Sequence, residues 1–404
     1  MMLEGKTVLL GISGGIAAYK AAELVRLLVK GGIEVHVVMT ANAQRFITPL
    51  TLQTLSGNPV GTNLFNLERE SRIGHIRLAR APDLVILAPA TANLIGKMAA
   101  GIADDYLTTI LLATTAPVLI CPSMNARMYQ HPITQRNLQS LRQLDYVILE
   151  PEVGDLACGE EGAGRLVSPP VILETAHRLL TPPSLAGRRI LVSAGPTWEP
   201  FDPVRFISNP SSGKMGYALA AVAHRRAAMV HLVSGPGSLS APSGIHLAKV
   251  RTAQEMHDVI VPLAPQMDAV IMAAAVGDYR PRQPAPQKVK KLKAEEKVAL
   301  VKNPDILGHL GHCRGASERP VLIGFAAETE NLIANAREKL IQKNLDLIVA
   351  NDLTQTGSGF GWDTNQVKII DRRGNVTELP SLTKEQVAEL LLDRVQALLD
   401  RVAR

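Results

Sequence analysis

The chain is poor in cysteine and in aromatic residues. Only three of its 404 residues are cysteines, Cys121, Cys158 and Cys313, which are too few and too scattered for a disulfide framework or a zinc site. Aromatic residues make up 3% of the chain, so the stacking platforms of proteins that bind single-stranded nucleic acid are not expected. The net charge of +6 suits small anionic substrates as well as it suits a polyanion, and we expect no nucleic-acid partner.

Long apolar runs are also missing. No run reaches the roughly 18–20 residues that a membrane helix needs, and the first residues lack the apolar segment of a secretory signal peptide. The hydrophobic fraction of 46% and the charged fraction of 20% are those of an ordinary globular protein. We therefore expect a cytoplasmic protein with no membrane partner.

The two common nucleotide-binding fingerprints are absent, although two glycine-rich loops follow apolar runs. In the loop 11–15 the glycines do not have the G-x-G-x-x-G spacing of dinucleotide-binding proteins. In the loop 208–215, Ser208 and Met215 stand where a Walker A loop needs glycine and Ser or Thr. A dehydrogenase and a P-loop NTPase are therefore disfavoured. Each loop still joins a predicted strand to a predicted helix, and free N–H groups with the helix dipole favour an anion there.

Apolar runs that predict strands alternate with segments of helical periodicity, such as 16–30, along the whole chain. Continuous apolar strands are buried on both faces, which predicts parallel-rich sheets. The pattern predicts an α/β protein with two Rossmann-like domains, 1–180 and 189–404, joined by a proline-containing linker at 181–188. The predicted strands are 7–10, 35–39, 84–87, 118–120 and 146–149 in the first half, and 190–192, 229–233, 269–272, 321–325 and 345–349 in the second.

Longer strings carry a more specific signal than either loop. The first half resembles the flavin-dependent cysteine decarboxylases of coenzyme A synthesis at GISGGIAAYK (11–20), GHI (74–76), PATAN (89–93), PSMN (122–125) and ACG (157–159). The second half resembles the phosphopantothenate–cysteine ligases at AGPT (194–197), NPSSGKMG (209–216), AAAV (273–276), DY (278–279) and KNPD (302–305). In this order on one chain, the strings resemble the bacterial bifunctional phosphopantothenoylcysteine decarboxylase/phosphopantothenate–cysteine ligase family. The resemblance covers nearly all of the chain and implies a flavodoxin-like flavoprotein domain followed by a ligase domain.

For the first half, the resemblance implies an FMN-dependent decarboxylase. His75 matches the family's base, Asn125 matches the residue that holds the substrate carboxylate, and Cys158 matches the thiol that protonates the enethiol intermediate. Taken alone, His75 could equally be a helix-terminal histidine bonded to backbone, and Asn125 could form an Asx turn. The resemblance assigns the flavin contacts to hydroxyl and glycine residues, namely Ser13, Gly14, Gly15, Thr40 and Thr91.

For the second half, the resemblance implies a ligase that activates a carboxylate with CTP as an acyl-cytidylate. Asn209 matches the residue that holds this intermediate, and Lys288 matches a lysine that stabilises charge during transfer, although a solvated lysine loop is the alternative for 288–293. Mg²⁺ is expected to bridge the triphosphate, with unknown protein ligands. The residues matched to nucleotide binding are Ser211, Gly213, Gly216, Ala273, Ala274, Ala275, Asp278, Lys288, Pro304, Asp305, Ile306, Leu307, Phe325, Lys339 and Lys343.

Two other functions remain as alternatives. A non-catalytic, flavin-binding regulatory protein would not need His75, Asn125 and Cys158 together, and a different flavin enzyme would not need a fused ligase half. The resemblance further implies trimeric decarboxylase halves with FMN at the subunit interface and dimeric ligase halves, which together give a dodecamer. The expected partners are small molecules, namely 4′-phosphopantothenate, cysteine and CTP, and further copies of the chain.

Overall fold

A computed structural model of the chain describes residues 3–64, 74–155, 159, 161–290, 297–328, 330–352 and 361–402. Its internal contacts divide it into two compact units, Met1–Pro182 and Pro183–Arg404. All ten predicted strands are present, and the predicted α/β class with parallel-rich sheets is confirmed.

The first unit contains a five-stranded sheet in the order β2-β1-β3-β4-β5, and all of its neighbouring strands are parallel. Apolar side chains are buried on both faces, as expected for a parallel sheet between helices. A separate antiparallel hairpin, β6-β7, follows β5 and was not predicted. The strands are β1 Thr7–Ile12, β2 Glu34–Met39, β3 Leu84–Ala90, β4 Val118–Pro122, β5 Val147–Ile148, β6 Glu152–Asp155 and β7 Glu161–Arg165.

The helix predicted over 16–30 begins as a 3₁₀ helix, Ile16–Tyr19, and becomes α-helical at Lys20. A second short 3₁₀ helix spans Ala43–Arg45. The α-helices that the structure describes in the first unit are α1 Lys20–Lys30, α2 Pro49–Ser56, α3 His75–Arg80, α4 Ala92–Ala100, α5 Tyr106–Ala113, α6 Ala126–Gln130, α7 Pro132–Arg142 and α8 Pro169–Leu180.

The second unit is built on an eight-stranded sheet in the order β12-β11-β8-β13-β16-β17-β19-β20. The pairs from β12 to β17 are parallel, and β19 and β20 add antiparallel pairs at one edge. The strands of this sheet are β8 Arg189–Ala194, β11 Met229–Ser234, β12 His246–Lys249, β13 Ala269–Met272, β16 Val321–Glu328, β17 Leu347–Asp352, β19 Val367–Asp371 and β20 Val376–Glu378.

Three short antiparallel pairs lie outside this sheet: β9-β10, β14-β15 and β18-β21. Their strands are β9 Glu199–Pro200, β10 Phe206–Ile207, β14 Tyr279–Pro281, β15 Leu300–Lys302, β18 Thr364–Asn365 and β21 Leu382–Thr383. The α-helices are α9 Lys214–Arg225, α10 Ala253–Leu263, α11 Ile306–Arg314, α12 Leu332–Gln342 and α13 Lys384–Val402, and a 3₁₀ helix spans Ala264–Gln266.

The last helix, α13, is held in the second unit by a cap at its start and by ion pairs further along. At its start, the Thr383 hydroxyl accepts from the Gln386 N–H and the Gln386 side chain accepts from the Thr383 N–H, which together form a capping box. Further along, the guanidinium of Arg226, only 2% exposed, donates to Glu389 and Asp393. Removal of both carboxylates would leave the buried guanidinium of Arg226 without a charged partner.

Candidate active sites

In the first unit, a cavity opens where the strand order reverses between β1 and β3, which is the usual ligand position of an open parallel sheet. Two hydroxyls connect the loops that leave these strands. Ser13 Oγ lies 2.8 Å from the carbonyl oxygen of Pro89 and 3.1 Å from Thr91 Oγ1, and it accepts from the N–H of Thr91 at 2.9 Å. The two loops are therefore held as one rigid wall.

This cavity, which we call the flavin cavity, has a volume of about 1050 Å³. All five residues predicted to contact the flavin line it, namely Ser13, Gly14, Gly15, Thr40 and Thr91. Gly14 is required sterically, because a Cβ atom there would lie 2.4 Å from Asn42 Cβ. Gly15 is the residue before the 3₁₀ helix, whose start has no side-chain cap and so presents N–H groups to an anion.

Hydroxyls, free N–H groups and apolar wall residues such as Ile16 and Leu94 match the phosphate and ring system of a flavin mononucleotide. Cations also line the flavin cavity. Lys20 Nζ donates to the carbonyl oxygen of Leu166 at 2.9 Å, and burial together with the nearby Arg165 guanidinium lowers the pKa of the Lys20 ammonium. The residues present therefore fit a bound FMN.

The three predicted decarboxylase residues lie in different places. Asn125 lines the flavin cavity and its Oδ1 accepts from the N–H of Arg127 at 2.8 Å, which caps α6 and directs the amide group. His75 is the half-buried first residue of α3 and is not among the described residues that line this cavity. Cys158 lies outside the described residues. The structure thus brings only Asn125 together with the predicted flavin contacts.

In the second unit, the strand order reverses between β8 and β13, and the loops after these two strands are again bonded to each other. The N–H of Ala275 donates to the carbonyl oxygen of Gly195 at 2.9 Å, and the N–H of Gly277 donates to Thr197 Oγ1 at 2.9 Å. Asn209 joins this assembly, because its Nδ2 donates to the carbonyl oxygens of Ala275 and Val276 at 3.1 and 3.2 Å. Because both bonds hold the amide nitrogen of Asn209, they also fix the direction of its side-chain oxygen.

A cavity of about 630 Å³ adjoins these loops, and we call it the nucleotide cavity. Most of the residues predicted to bind the nucleotide or its intermediate line it: Asn209, Ser211, Gly213, Ala273, Ala274, Ala275, Asp278, Pro304, Asp305, Ile306, Leu307, Phe325, Lys339 and Lys343. Gly216 and Lys288 are described but are not among its lining residues.

The structure gives a different setting for Gly216 and Lys288. A Cβ atom on Gly216 would lie 2.5 Å from Ala194 Cβ, so this glycine lets α9 approach β8 closely. Lys288 is exposed. The N–H of its neighbour Val289 donates a hydrogen bond of 3.1 Å to the carboxylate of Asp202. The Arg205 guanidinium, together with this bond and two other backbone N–H bonds, holds the pKa of Asp202 well below its usual range.

At one end of the nucleotide cavity, acidic and basic side chains are paired. Asp305 caps α11 by accepting from the N–H of Gly308, and it accepts from Lys343 Nζ at 2.8 Å. Burial opposes ionisation of Asp305, but the bonds from Lys343 and Gly308 outweigh it and lower the pKa of this carboxyl. Lys339 Nζ donates to Glu328 in the same way. This end is fixed by ion pairs.

The other end of the nucleotide cavity contains three residues that sequence reasoning missed, Lys214, Asn365 and Lys384. Lys214 lies inside the glycine-rich string 209–216 and could have been singled out as a cation at the start of a helix. Lys384 sits in the capping sequence of the last helix, and no local pattern distinguishes it from a solvated lysine.

Two absences hold for the part of the chain that the structure describes. No group of three or more His, Cys, Asp or Glu side chains there is arranged to hold a metal ion. Among the helices of the same ranges, none combines the length and the apolarity that a bilayer crossing requires.

Two family models match the chain in succession. Residues 1–181 match a family described as Flavoprotein, and residues 185–399 match the DNA/pantothenate metabolism flavoprotein C-terminal domain.

The chain is similar to curated proteins over nearly its whole length. It is 46% identical to a coenzyme A biosynthesis bifunctional protein CoaBC of Vibrio cholerae, over 96% of this chain and 98% of that protein. It is 47% identical to the protein of the same name from Escherichia coli K12, over 98% of each. Among solved structures, the C-terminal domain of a coenzyme A biosynthesis bifunctional protein CoaBC is 41% identical with a TM-score of 0.46, covering 54% of this chain and 98% of that domain.

Proposed function

The chain belongs to the family of coenzyme A biosynthesis bifunctional proteins, and on this premise we propose the reaction that each half catalyses. It is an enzyme of coenzyme A biosynthesis that combines a decarboxylase with a phosphopantothenate–cysteine ligase. We assign the decarboxylase to residues 1–180 and the ligase to residues 189–404. The observation that carries the assignment is that this chain matches bifunctional relatives over nearly its whole length. Each of its two units also contains a cavity lined by residues of the matching strings.

The ligase reaction comes first, because its product is the substrate of the decarboxylase. A free carboxylate is a poor electrophile and must be activated before an amine can attack it. We propose that the carboxylate oxygen of 4′-phosphopantothenate attacks the α-phosphorus of CTP, so that pyrophosphate leaves and an acyl-cytidylate forms. The amine of cysteine then attacks the acyl carbon, and CMP leaves with the bonding electron pair.

Residues of the nucleotide cavity support this sequence by positioning. The two bonds from Asn209 to the carbonyls of Ala275 and Val276 hold its side-chain oxygen at the cavity wall, where it can orient the acyl-cytidylate or the incoming amine. The ion-paired end with Asp305 and Lys343 suits the cytidine part of the nucleotide. Mg²⁺ would offset the negative charge of the triphosphate during the transfer. Lys288 would reach the nucleotide from its exposed loop.

The decarboxylase half would bind FMN in the flavin cavity through Ser13, Gly14, Gly15, Thr40 and Thr91. A bound FMN would supply the redox chemistry: it would take two electrons from the cysteinyl thiol, so that the oxidised substrate can hold the electron pair left behind when CO₂ departs, and it would return two electrons to the enethiol afterwards.

The chain's own groups position the substrate and move its protons. Asn125 holds the departing carboxylate by donation from its amide and, unlike a bidentate arginine, does not lock it in place. His75 acts as the base, and Cys158 donates the proton that completes the product, 4′-phosphopantetheine.

A second copy of the chain would complete the flavin cavity. His75 does not line this cavity within one chain, whereas Ile16, Tyr19 and Met128 line it and are 60%, 60% and 50% exposed. Exposed apolar side chains around a cavity are typical of an interface. We propose that a neighbouring copy covers them and supplies His75, in keeping with a trimer of decarboxylase halves within a dodecamer.

The experiment that tests the proposal uses the purified full-length chain with 4′-phosphopantothenate, cysteine, Mg²⁺ and either CTP or ATP. Mass spectrometry follows the products, and absorbance at roughly 450 nm reports bound flavin. A yellow protein that forms 4′-phosphopantetheine with CTP and not with ATP is expected. A yellow protein that fails to convert phosphopantothenoylcysteine supplied directly would contradict the decarboxylase mechanism and favour a regulatory role.

A further inference from the structure

Two lysines at the α9 end of the nucleotide cavity have no role in the reaction as described so far. Lys214 is the first residue of α9 and Lys384 is the first residue of α13, and both line the cavity. They are 170 residues apart in sequence, so the fold alone brings them together.

Lys384 is an unusual lysine because it is only 7% exposed. Its Nζ donates to Asn365 Oδ1 at 2.8 Å and lies 3.3 Å from the carbonyl oxygen of Thr364. Burial and the nearby ammonium of Lys214 together lower the pKa of Lys384 to about 8, with Asp363 opposing both. Placing an ammonium group in such a position costs free energy, and ionisable groups in such settings cluster at functional sites.

Asn365 connects Lys384 to the start of α9. Its side chain is 5% exposed, and its Nδ2 lies 3.7 Å from the sulfur of Met215, the second residue of that helix. Lys214 Nζ is held to the same segment, since it donates to Asp363 Oδ1 at 2.6 Å and to the carbonyl oxygen of Gly361 at 3.1 Å. Both ammonium groups are thus anchored beside one helix start.

The helix start itself adds positive potential. α9 is twelve residues long, its N-cap is Gly213 with φ +77°, and no side chain caps it. Its first-turn N–H groups and dipole favour an anion. The nucleotide cavity is lined by five lysines against two aspartates. Lys214, Lys339 and Lys343 are each ion-paired with a carboxylate, but Asp363, the partner of Lys214, is 87% exposed, and solvent weakens such a pair. The start of α9, where two ammonium groups lie beside an uncapped helix end, therefore suits a further anion.

We propose that Lys214 and Lys384, together with the first turn of α9, bind a phosphate group of a ligase substrate. The inference rests on the proposed function, in which two substrates bring phosphate to this cavity, CTP as a triphosphate and 4′-phosphopantothenate as a monoester. Asn365 is a positioning residue here, because it acts on the phosphate only through Lys384. Cysteine, which has no phosphate, does not use these lysines.

The experiment compares Lys384→Met and Lys214→Met with the wild-type full-length enzyme. Methionine keeps most of the length of lysine and tolerates burial, while it removes the charge. Lys368→Met is the matched control, because Lys368 is ion-paired with Glu378 on the edge strands β19 and β20 and lies outside the nucleotide cavity. Calorimetry measures the Kd of CTP and of 4′-phosphopantothenate separately, and steady-state kinetics gives KM and kcat for each.

We expect both variants to weaken one phosphate-bearing substrate by roughly tenfold or more, the size of one charge-assisted hydrogen bond, with a smaller change in kcat. Weaker CTP binding assigns the site to the triphosphate, and weaker 4′-phosphopantothenate binding assigns it to the monoester. Pantothenate, which lacks the phosphate, should then bind wild type and variants alike. Lys384→Arg should restore part of the affinity.

The inference is overturned if both folded variants bind the two substrates as tightly as Lys368→Met does, or if only kcat falls. If Lys384→Met fails to fold, Lys214→Met decides alone, because Lys214 is partly exposed. Failure of the proposed function would look different. A wild-type enzyme without ligase activity that still binds CTP through Lys214 and Lys384 would refute the ligase assignment and leave the phosphate site standing.

Discussion

The two cavities of this chain occupy the same place in their sheets but differ in the side chains that line them. Each lies where the strand order reverses, beside a loop that leaves the first strand of its unit. Four charged side chains line the flavin cavity of about 1050 Å³, whereas seven line the nucleotide cavity of about 630 Å³. A large cavity with few charges suits a cofactor that stays bound, and a smaller charged one suits polyanionic substrates that exchange. Topology sets where a ligand binds, and the loop residues set which ligand it is.

Both sites join their loops by a backbone bond and a hydroxyl, and the second site adds an amide side chain. In the flavin cavity, the Ser13 N–H donates to the carbonyl oxygen of Pro89, and the Ser13 hydroxyl bonds to Pro89 and Thr91. In the nucleotide cavity, the Ala275 N–H donates to Gly195, Thr197 accepts from Gly277, and Asn209 adds two bonds. Each set of bonds lies within one unit. A substitution in one cavity should therefore leave the reaction of the other intact, and this separation can be tested.

The largest effect is expected from Gly14→Ala. The new Cβ would lie 2.4 Å from Asn42 Cβ and 2.7 Å from the Asn42 carbonyl carbon, so the loop must move. Relieving such a clash costs about 1–3 kcal/mol, and we expect flavin affinity and decarboxylation to fall by roughly tenfold or more. Flavin absorbance of the purified protein and mass spectrometry of the product measure both losses.

Gly96→Ala is the matched control for Gly14→Ala. Gly96 lies within α4 and does not line the flavin cavity, and its Cβ would have Asn137 Nδ2 at 3.7 Å as its nearest neighbour, which is an ordinary contact. Gly96→Ala should keep its flavin, and both variants should keep the ligase reaction. Loss of ligase activity in Gly14→Ala would show that the two sites are not independent.

The next effect is expected from Asn209→Ala in the nucleotide cavity. The variant loses the bonds to Ala275 and Val276 and the positioned side-chain oxygen. We expect kcat/KM of the ligase reaction to fall by roughly tenfold, as when one hydrogen-bonding group is lost. Conversion of supplied phosphopantothenoylcysteine should be unchanged, and a parallel loss there would argue for global unfolding.

A smaller effect, on stability and not on nucleotide binding, is expected from Gly216→Ala. Alanine at this position would place Cβ 2.5 Å from Ala194 Cβ and 2.7 Å from the Ser193 carbonyl oxygen, so α9 must shift away from β8. Gly216→Ala should lower the free energy of unfolding of the ligase half by about 1–3 kcal/mol, measured in urea. Ser211→Ala, in contrast, should weaken CTP binding with little loss of stability. The reverse pattern would restore Gly216 as a nucleotide contact.

The smallest effect is a pH dependence that Lys384 gives to the second unit. Its pKa of about 8 in the folded protein lies below the ordinary lysine value, with Lys214 and Asp363 as its charged neighbours. Between pH 8 and 9, folded Lys384 loses its proton while the unfolded chain keeps it, so stability rises with pH. Relative to Lys384→Met, the wild type should gain about 1 kcal/mol over this interval. Phosphate binding should weaken over the same interval, and identical urea curves for both proteins at both pH values would contradict the assignment.

The sequence patterns predicted the buried parallel strands of the two sheets and missed the glycine-rich hairpin and the shortest strands. Buried parallel strands are continuous apolar runs, so all ten were predicted. The hairpin β6-β7 contains Gly154, Gly162 and Gly164 and has no apolar alternation, and strands of two or three residues such as β14 and β18 are too short for any period.

The candidate sites follow the same division. Ser13, Thr91 and Asn209 were found because each lies in a string that resembles a family, and each lines a cavity. Lys384 was missed because its setting depends on Asn365 and on α9, which contact it only after the second unit has folded. His75, Cys158 and Lys288 keep their roles as predictions.

The position of α13 has a consequence for synthesis on the ribosome. The first core of the decarboxylase half closes with Leu180 of α8, so that half can fold as soon as the chain to residue 182 has emerged. The ligase core instead needs Val387, Leu391 and Leu399 from α13, and Arg226 must wait for its carboxylates on the same helix. The half that acts second in the pathway is therefore expected to mature first, while the half that acts first stays incomplete until the whole of α13, Lys384–Val402, has emerged.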